Sequence, residues 1–152
     1  MTEEHRYELD SNWIREKIVT VEIEGKPTFE VATPPDFWPE SPRELISPEE
    51  LFLASAVSCY GVSLSGVAKR FHAEFSEFSV KSEATLAKGE SGYEFDQITM
   101  VANIVVPTEQ DRKRMEKAAQ RAHTYCLVAN SMKCPVHLKV EIVVPEAPIA
   151  PH

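Results

Sequence analysis

Residues 47–71 read SPEELFLASAVSCYGVSLSGVAKRF. Ser47 is a good helix N-cap, Pro48 suits the first helical position, and Glu50 completes a capping box. Residues 51–68 then carry no charged side chain. A helix apolar on all sides is normally buried on all sides. The run is about as long as a short membrane span. Ser55, Ser58, Ser63 and Ser65, with Gly61 and Gly66, argue against that reading. No other segment is apolar enough to partner it in a bilayer. The expectation is a central helix of a soluble domain, wrapped by the rest of the chain. Ala54, Ser58, Gly61 and Ser65 recur at helical spacing, and such a stripe of small residues admits a second backbone at close range. Cys59 falls in the middle of this helix and Glu49 in its first turn.

Working towards the N-terminus, residues 34–46 hold Pro34, Pro35, Pro39 and Pro42 and cannot be regular. Phe37 and Trp38 in that loop are expected to staple it to the core. Residues 28–33 read as a strand returning from a turn at Gly25-Lys26-Pro27. Residues 18–24 alternate Val19, Val21 and Ile23 against Thr20, Glu22 and Glu24, which predicts a half-buried strand. Residues 5–11 are expected to form a first strand, and residues 12–17 a connection containing Trp13 and Arg15.

Towards the C-terminus, residues 75–86 place Phe78, Val80, Ala84 and Leu86 on one strand face. Gly89-Glu90-Ser91-Gly92 predicts a hairpin loop. Residues 93–106 return with Ile98, Met100, Ala102, Ile104 and Val106 in phase. Thr108 caps a second helix with Glu109 and Asp111 in its first turn. Met115, Ala118, Ala119 and Ala122 form its apolar stripe, and Cys126 continues that series inward. Val136, Leu138, Val140, Ile142 and Val144 predict a last strand. Residues 145–152 are expected to be a loose tail.

The 152 residues predict one domain, 1–152, with a sizeable core. A formal charge of -8 argues against a nucleic-acid or anionic-membrane partner. The first ten residues, MTEEHRYELD, have no apolar run, so no secretory signal is expected. Cys59, Cys126 and Cys134 are then expected as thiols in a reducing compartment, unless a pair is catalytic. A buried helical cysteine is ordinarily a small hydrophobe. Cys59, however, has serines around it, and Cys126 lies on a second core-facing stripe. His123-x-x-Cys126 and Cys134-x-x-His137 have the residue types of a zinc site. The short spacer between them, and the opposite strand faces expected for Cys134 and His137, disfavour it.

Pro48-Glu49-Glu50-Leu51 followed by Ala-rich sequence to Cys59, together with Ala122-His123-x-x-Cys126-x-x-x-Asn130, resembles the OsmC/Ohr family of hydroperoxide-reducing proteins. The order of strands, long apolar helix, two long strands, helix and strand is similar too. The resemblance implies an α+β fold of the OsmC type: N-terminal antiparallel strands wrapped around a buried central helix, in an intertwined homodimer. It implies a peroxidatic thiolate at Cys59 and a resolving thiol at Cys126. A glutamate at the position of Glu49 would pin an arginine beside that thiolate. Arg15 and Arg43 each sit where one branch of the family keeps the arginine, and the choice between them is open. Leu127 stands where the best-studied relatives have proline, and the loop before the helix lacks their glycines. Both mark a divergent branch. Cys134 matches no family thiol. The implied activity is cytoplasmic reduction of organic hydroperoxides, recycled by an external dithiol of the lipoyl or another type, with no metal, flavin or haem. The alternative is a non-catalytic member binding a small apolar ligand in the same pocket.

Overall fold

β1 (Asp10–Arg15) and β2 (Ile18–Glu22) pair antiparallel, and β2 pairs antiparallel with β3 (Phe29–Ala32). This is a computed structural model, and it describes residues 2–146. The chain divides into two compact units, Met1–Phe52 and Leu53–His152. In the first unit, strand one differs from the sequence expectation. Residues 5–9 are irregular, and the strand runs on through Arg15. The cause is a two-residue turn at Glu16-Lys17 in which Glu16 adopts φ 47. That left-handed conformation is unusual for a glutamate, so no Gly or Asn announces the turn. Gly25, at φ 78, makes the next turn, where the Lys26 amide donates to the Ile23 carbonyl at 3.0 Å. The proline-rich loop is irregular as expected, and Ile46 returns to bridge Val31 in parallel.

α1 (Pro48–Arg70) starts by the capping box. The Glu50 amide donates to Ser47 Oγ at 3.1 Å, and the Ser47 amide donates to Glu50 Oε1 at 3.0 Å. Two otherwise orphaned amides are thereby satisfied. By length and composition α1 is the one helix among the described residues that passes as a membrane span. Its Ala56, Tyr60, Leu64 and Ala68, spaced by four, are wholly buried in the protein, which makes α1 a core helix. It is not covered on every side by its own chain. Ala54, Ser58, Val62 and Ser65 are exposed, Val62 by 72%. Both faces are free of charge, so hydropathy could not distinguish them.

The second unit is a sheet in the order β4–β5–β6 with helices packed on it. β4 (Glu77–Gly89) and β5 (Gly92–Val105) form the long hairpin, turning at Glu90-Ser91. Gly92 sits at φ 113, a backbone that glycine adopts without strain. β6 (Val136–Val143) pairs with β5 in parallel. Ile98, Met100, Ala102 and Ile104 of β5 are buried on one face. Cross-strand partners on that face include Phe78, Leu138, Val140 and Ile142. α2 (Glu109–Thr124) buries Met115, Ala118, Ala119 and Ala122, and its Arg112 guanidinium donates to the Ile142 carbonyl of β6 at 2.6 Å. Thr108 Oγ1 caps α2 by accepting from the Asp111 amide at 3.1 Å. The expected tail at 145–152 lies, beyond residue 146, outside the described residues.

Candidate active site

The second unit brings Cys59 of α1 and Cys126 together. The two thiols lie near enough for Cys59 to raise the pKa of Cys126, and both are free, not disulfide-bonded. Cys59 is half-buried, whereas Cys126 is 0% exposed. Burial pushes the Cys126 thiol above its ordinary pKa, and the neighbouring Cys59 adds to this. The backbone amides of Ala129 and Val128 pull the other way. A buried thiol with a raised pKa is protonated at neutral pH and is a weak nucleophile until deprotonated.

Cys126 does not lie on α2, as the apolar stripe suggested. α2 ends at Thr124, and Cys126, at φ -69 and ψ 100, is the N-cap residue of a four-residue helix α3 (Leu127–Asn130). Its inward direction survives because the chain turns beneath it and is tied at several points. The Cys126 amide donates to the His123 carbonyl at 3.3 Å. The Asn130 amide donates to the Cys126 carbonyl at 2.9 Å, and Asn130 Nδ2 donates to the Thr124 carbonyl at 3.0 Å. Asn130 thus satisfies one of the last carbonyls of α2 and closes the loop that presents the thiol. That is a physical reason for asparagine in the Cys126-x-x-x-Asn130 spacing.

Tyr60, which the sequence reading passed over, is wholly buried beside this pair. Its hydroxyl donates to the Ala119 carbonyl of α2 at 3.3 Å. Burial, and then the Cys126 sulfur, raise its pKa far above the ordinary phenol value, so it stays a neutral donor. His123 meets the Tyr60 ring edge to face, with centroids 6.4 Å apart, and its buried Nδ1 has no hydrogen-bond partner among the described residues. The one signal for Tyr60 in the sequence was a large polar aromatic in a run of small residues.

The other candidate residues belong to the first unit. Glu49 is half-buried in the first turn of α1, and its Oε2 is buried with no hydrogen-bond partner among the described residues. Arg15 ends β1, is 59% exposed and pairs with Glu30 at 4.0 Å. Arg43 is exposed in the proline-rich loop. Among the described residues neither arginine forms an ion pair with Glu49. Cys134 is buried in the bend before β6, and His137 is exposed on that strand. No group of three or more potential metal-ligating side chains forms among the described residues.

Comparison with known proteins places this geometry in context. The family model described as OsmC-like protein matches residues 41–141. The chain is 29% identical over 97 residues to the organic hydroperoxide resistance protein OhrB of Bacillus subtilis, covering 63% of this chain and 68% of that protein. It is 22% identical over 143 residues to the uncharacterized protein YmaD of the same organism, covering 91% and 93%. Among solved structures, an OsmC-like protein of unknown function from Vibrio cholerae superposes with a TM-score of 0.81. That match has 19% identity and covers 90% of this chain and 99% of the other. The α+β fold of the OsmC type expected for the single chain is therefore the fold observed.

Proposed function

This chain belongs to the OsmC-like proteins, and from that premise we propose that it is a cysteine-based peroxidase reducing organic hydroperoxides to alcohols. The observation that carries the proposal is the meeting of the Cys59 and Cys126 thiols. In this reading the Cys59 thiolate attacks the peroxide oxygen. The O–O bond breaks, an alcohol leaves with a proton, and Cys59 becomes a sulfenic acid. Cys126 gives up its proton, displaces water from that sulfenic acid and forms the disulfide. An external dithiol, lipoyl or otherwise, restores both thiols. The cycle uses sulfur chemistry alone and calls for no metal, flavin or haem. A reducing cytoplasm is the compartment that would supply the dithiol.

Glu49 has a place in this reading. A buried carboxylate oxygen without a donor is costly, and it calls for a partner. We assign that partner to Arg15 or Arg43, held by Glu49 through charge-assisted hydrogen bonds so that its guanidinium stabilises the Cys59 thiolate. The homodimer belongs to the same proposal. Ser58 and Ser65 on the uncovered face of α1 turn their hydroxyls back to the carbonyls of Ala54 and Gly61, at 2.6 and 3.2 Å. That leaves a smooth face of small side chains around Val62, suited to a second copy of α1. The whole chain, 1–152, is taken as one domain of that dimer.

The test is direct. One equivalent of cumene hydroperoxide should remove two thiols per chain and leave a Cys59–Cys126 bridge on peptide mapping, with Cys134 still alkylatable. A bridge to Cys134, or no bridge at all, would sink the assignment.

A further inference from the structure

We infer that the reductant enters the catalytic cycle at the Cys59 sulfur, so that Cys59 carries the mixed disulfide and Cys126 is the sulfur that leaves. The inference rests on the peroxidase reading and adds to it the polarity of the recycling step. Thiol–disulfide exchange requires the attacking sulfur to approach the attacked one from the side opposite its partner. At Cys126 that approach is closed. The residue is 0% exposed and has Tyr60, equally buried, beside it. The loop that holds it is tied by the hydrogen bonds of Asn130 to Cys126 and Thr124, so it does not open without breaking them. Cys59 is half-buried on α1 and is the more accessible residue of the two.

A thiolate of the dithiol bonds to the Cys59 sulfur, and the Cys59–Cys126 bond breaks. The released Cys126 sulfur takes up the proton that the attacking thiol gave up. The raised pKa of Cys126 slows its departure as a thiolate, so access at Cys59 sets the polarity, and the departed sulfur then keeps the proton. The second thiol of the reductant then closes the reductant's own disulfide and frees Cys59 as a thiolate. Two electrons pass from the dithiol to the protein, and Cys59 is returned ready for the next peroxide. The same sulfur thus meets both substrates, and Cys126 meets neither.

The experiment uses the wild-type chain. Protein treated with one equivalent of cumene hydroperoxide is first mapped for the Cys59–Cys126 bridge. Absence of the bridge overturns the peroxidase reading and this inference with it. Bridged protein is then mixed with 2-mercaptoethanol, quenched in acid at early times, blocked with N-ethylmaleimide and digested. The expected peptides carry mercaptoethanol on Cys59 and maleimide on Cys126. Mercaptoethanol on Cys126 in an amount equal to or above that on Cys59 overturns the inference while leaving the peroxidase reading intact.

Discussion

The hydroxyl of Tyr60 on α1 donates to the main-chain carbonyl of Ala119 on α2 at 3.3 Å. Tyr60 adjoins Cys59, and α2 leads into the loop bearing Cys126, so this bond ties together the supports of the two thiols. Tyr60→Phe keeps the ring and removes one neutral buried hydrogen bond, which should cost about 1 kcal/mol. Denaturant unfolding checks that figure. The loss of the first thiol to peroxide should keep its rate, while closure of the bridge, read as loss of the second, should slow. Closure at the wild-type rate would make the bond one of stability alone.

Glu49→Gln tests the activation of Cys59. Ser47, Pro48 and Glu50 still specify the helix start, so α1 should form as in the wild type, and denaturant unfolding checks that the variant is folded. The alkylation rate of Cys59 against pH should shift to higher pH, by one unit for every ~1.4 kcal/mol of thiolate stabilisation removed. Arg15→Lys and Arg43→Lys are measured beside it. Whichever reproduces the Glu49→Gln profile is the arginine that Glu49 holds. Coincident profiles for all four proteins would reduce Glu49 to a helix-start residue.

Val62→Glu probes the uncovered face of α1. Val62 is 72% exposed in the single chain, so a glutamate there should leave a lone chain folded. In a dimer packed through that face it buries an unpaired charge, which is strongly unfavourable. Light scattering should give about twice the 17.1 kDa chain mass for the wild type and a single-chain mass for the variant. A wild-type mass of one chain at micromolar concentration would refute the dimer.

Asp111 gives a dependence of stability on pH. Its carboxylate accepts from the Thr108 hydroxyl and from the Glu74 amide, the latter at 3.0 Å. These bonds, Thr108's first, hold its pKa below the ordinary carboxylate value. A depressed folded-state pKa contributes stability that is fully present above the unfolded pKa, about 3.9, and is lost as pH falls below it. Asp111→Asn should therefore lower the melting temperature at pH 7, and its deficit relative to wild type should shrink between pH 4 and pH 2. A deficit that stays constant over that range would show that the charge plays no part.

Much of this architecture is legible in the residues because local signals agree with the fold. Ser47 and Glu50 mark the start of α1, Gly89 and Gly92 bracket the long hairpin, and Ile98, Met100, Ala102 and Ile104 announce a strand with one buried face. The misreadings fall where the deciding interaction is not local. The first turn is made by Glu16 in a glycine-like conformation, and only pairing with β2 selects it. Cys126 keeps the phase of α2 although the helix has ended, because Asn130 and His123 hold its loop. The two thiols were readable as candidates from two spaced motifs, through the family resemblance. Tyr60 was not, since its role depends on α2 lying against α1. The choice between Arg15 and Arg43 has no periodic signal at all.

The parallel pairing of β5 with β6 also fixes an order in time. β4 and β5 are joined by a two-residue turn and can zip together on the microsecond scale of hairpins. β6 is separated from β5 by α2 and α3, and a parallel neighbour cannot be reached by a tight turn. During synthesis the Ile98–Val105 stretch therefore leaves the ribosome with an open edge, and only the final strand, Val136–Val143, closes it.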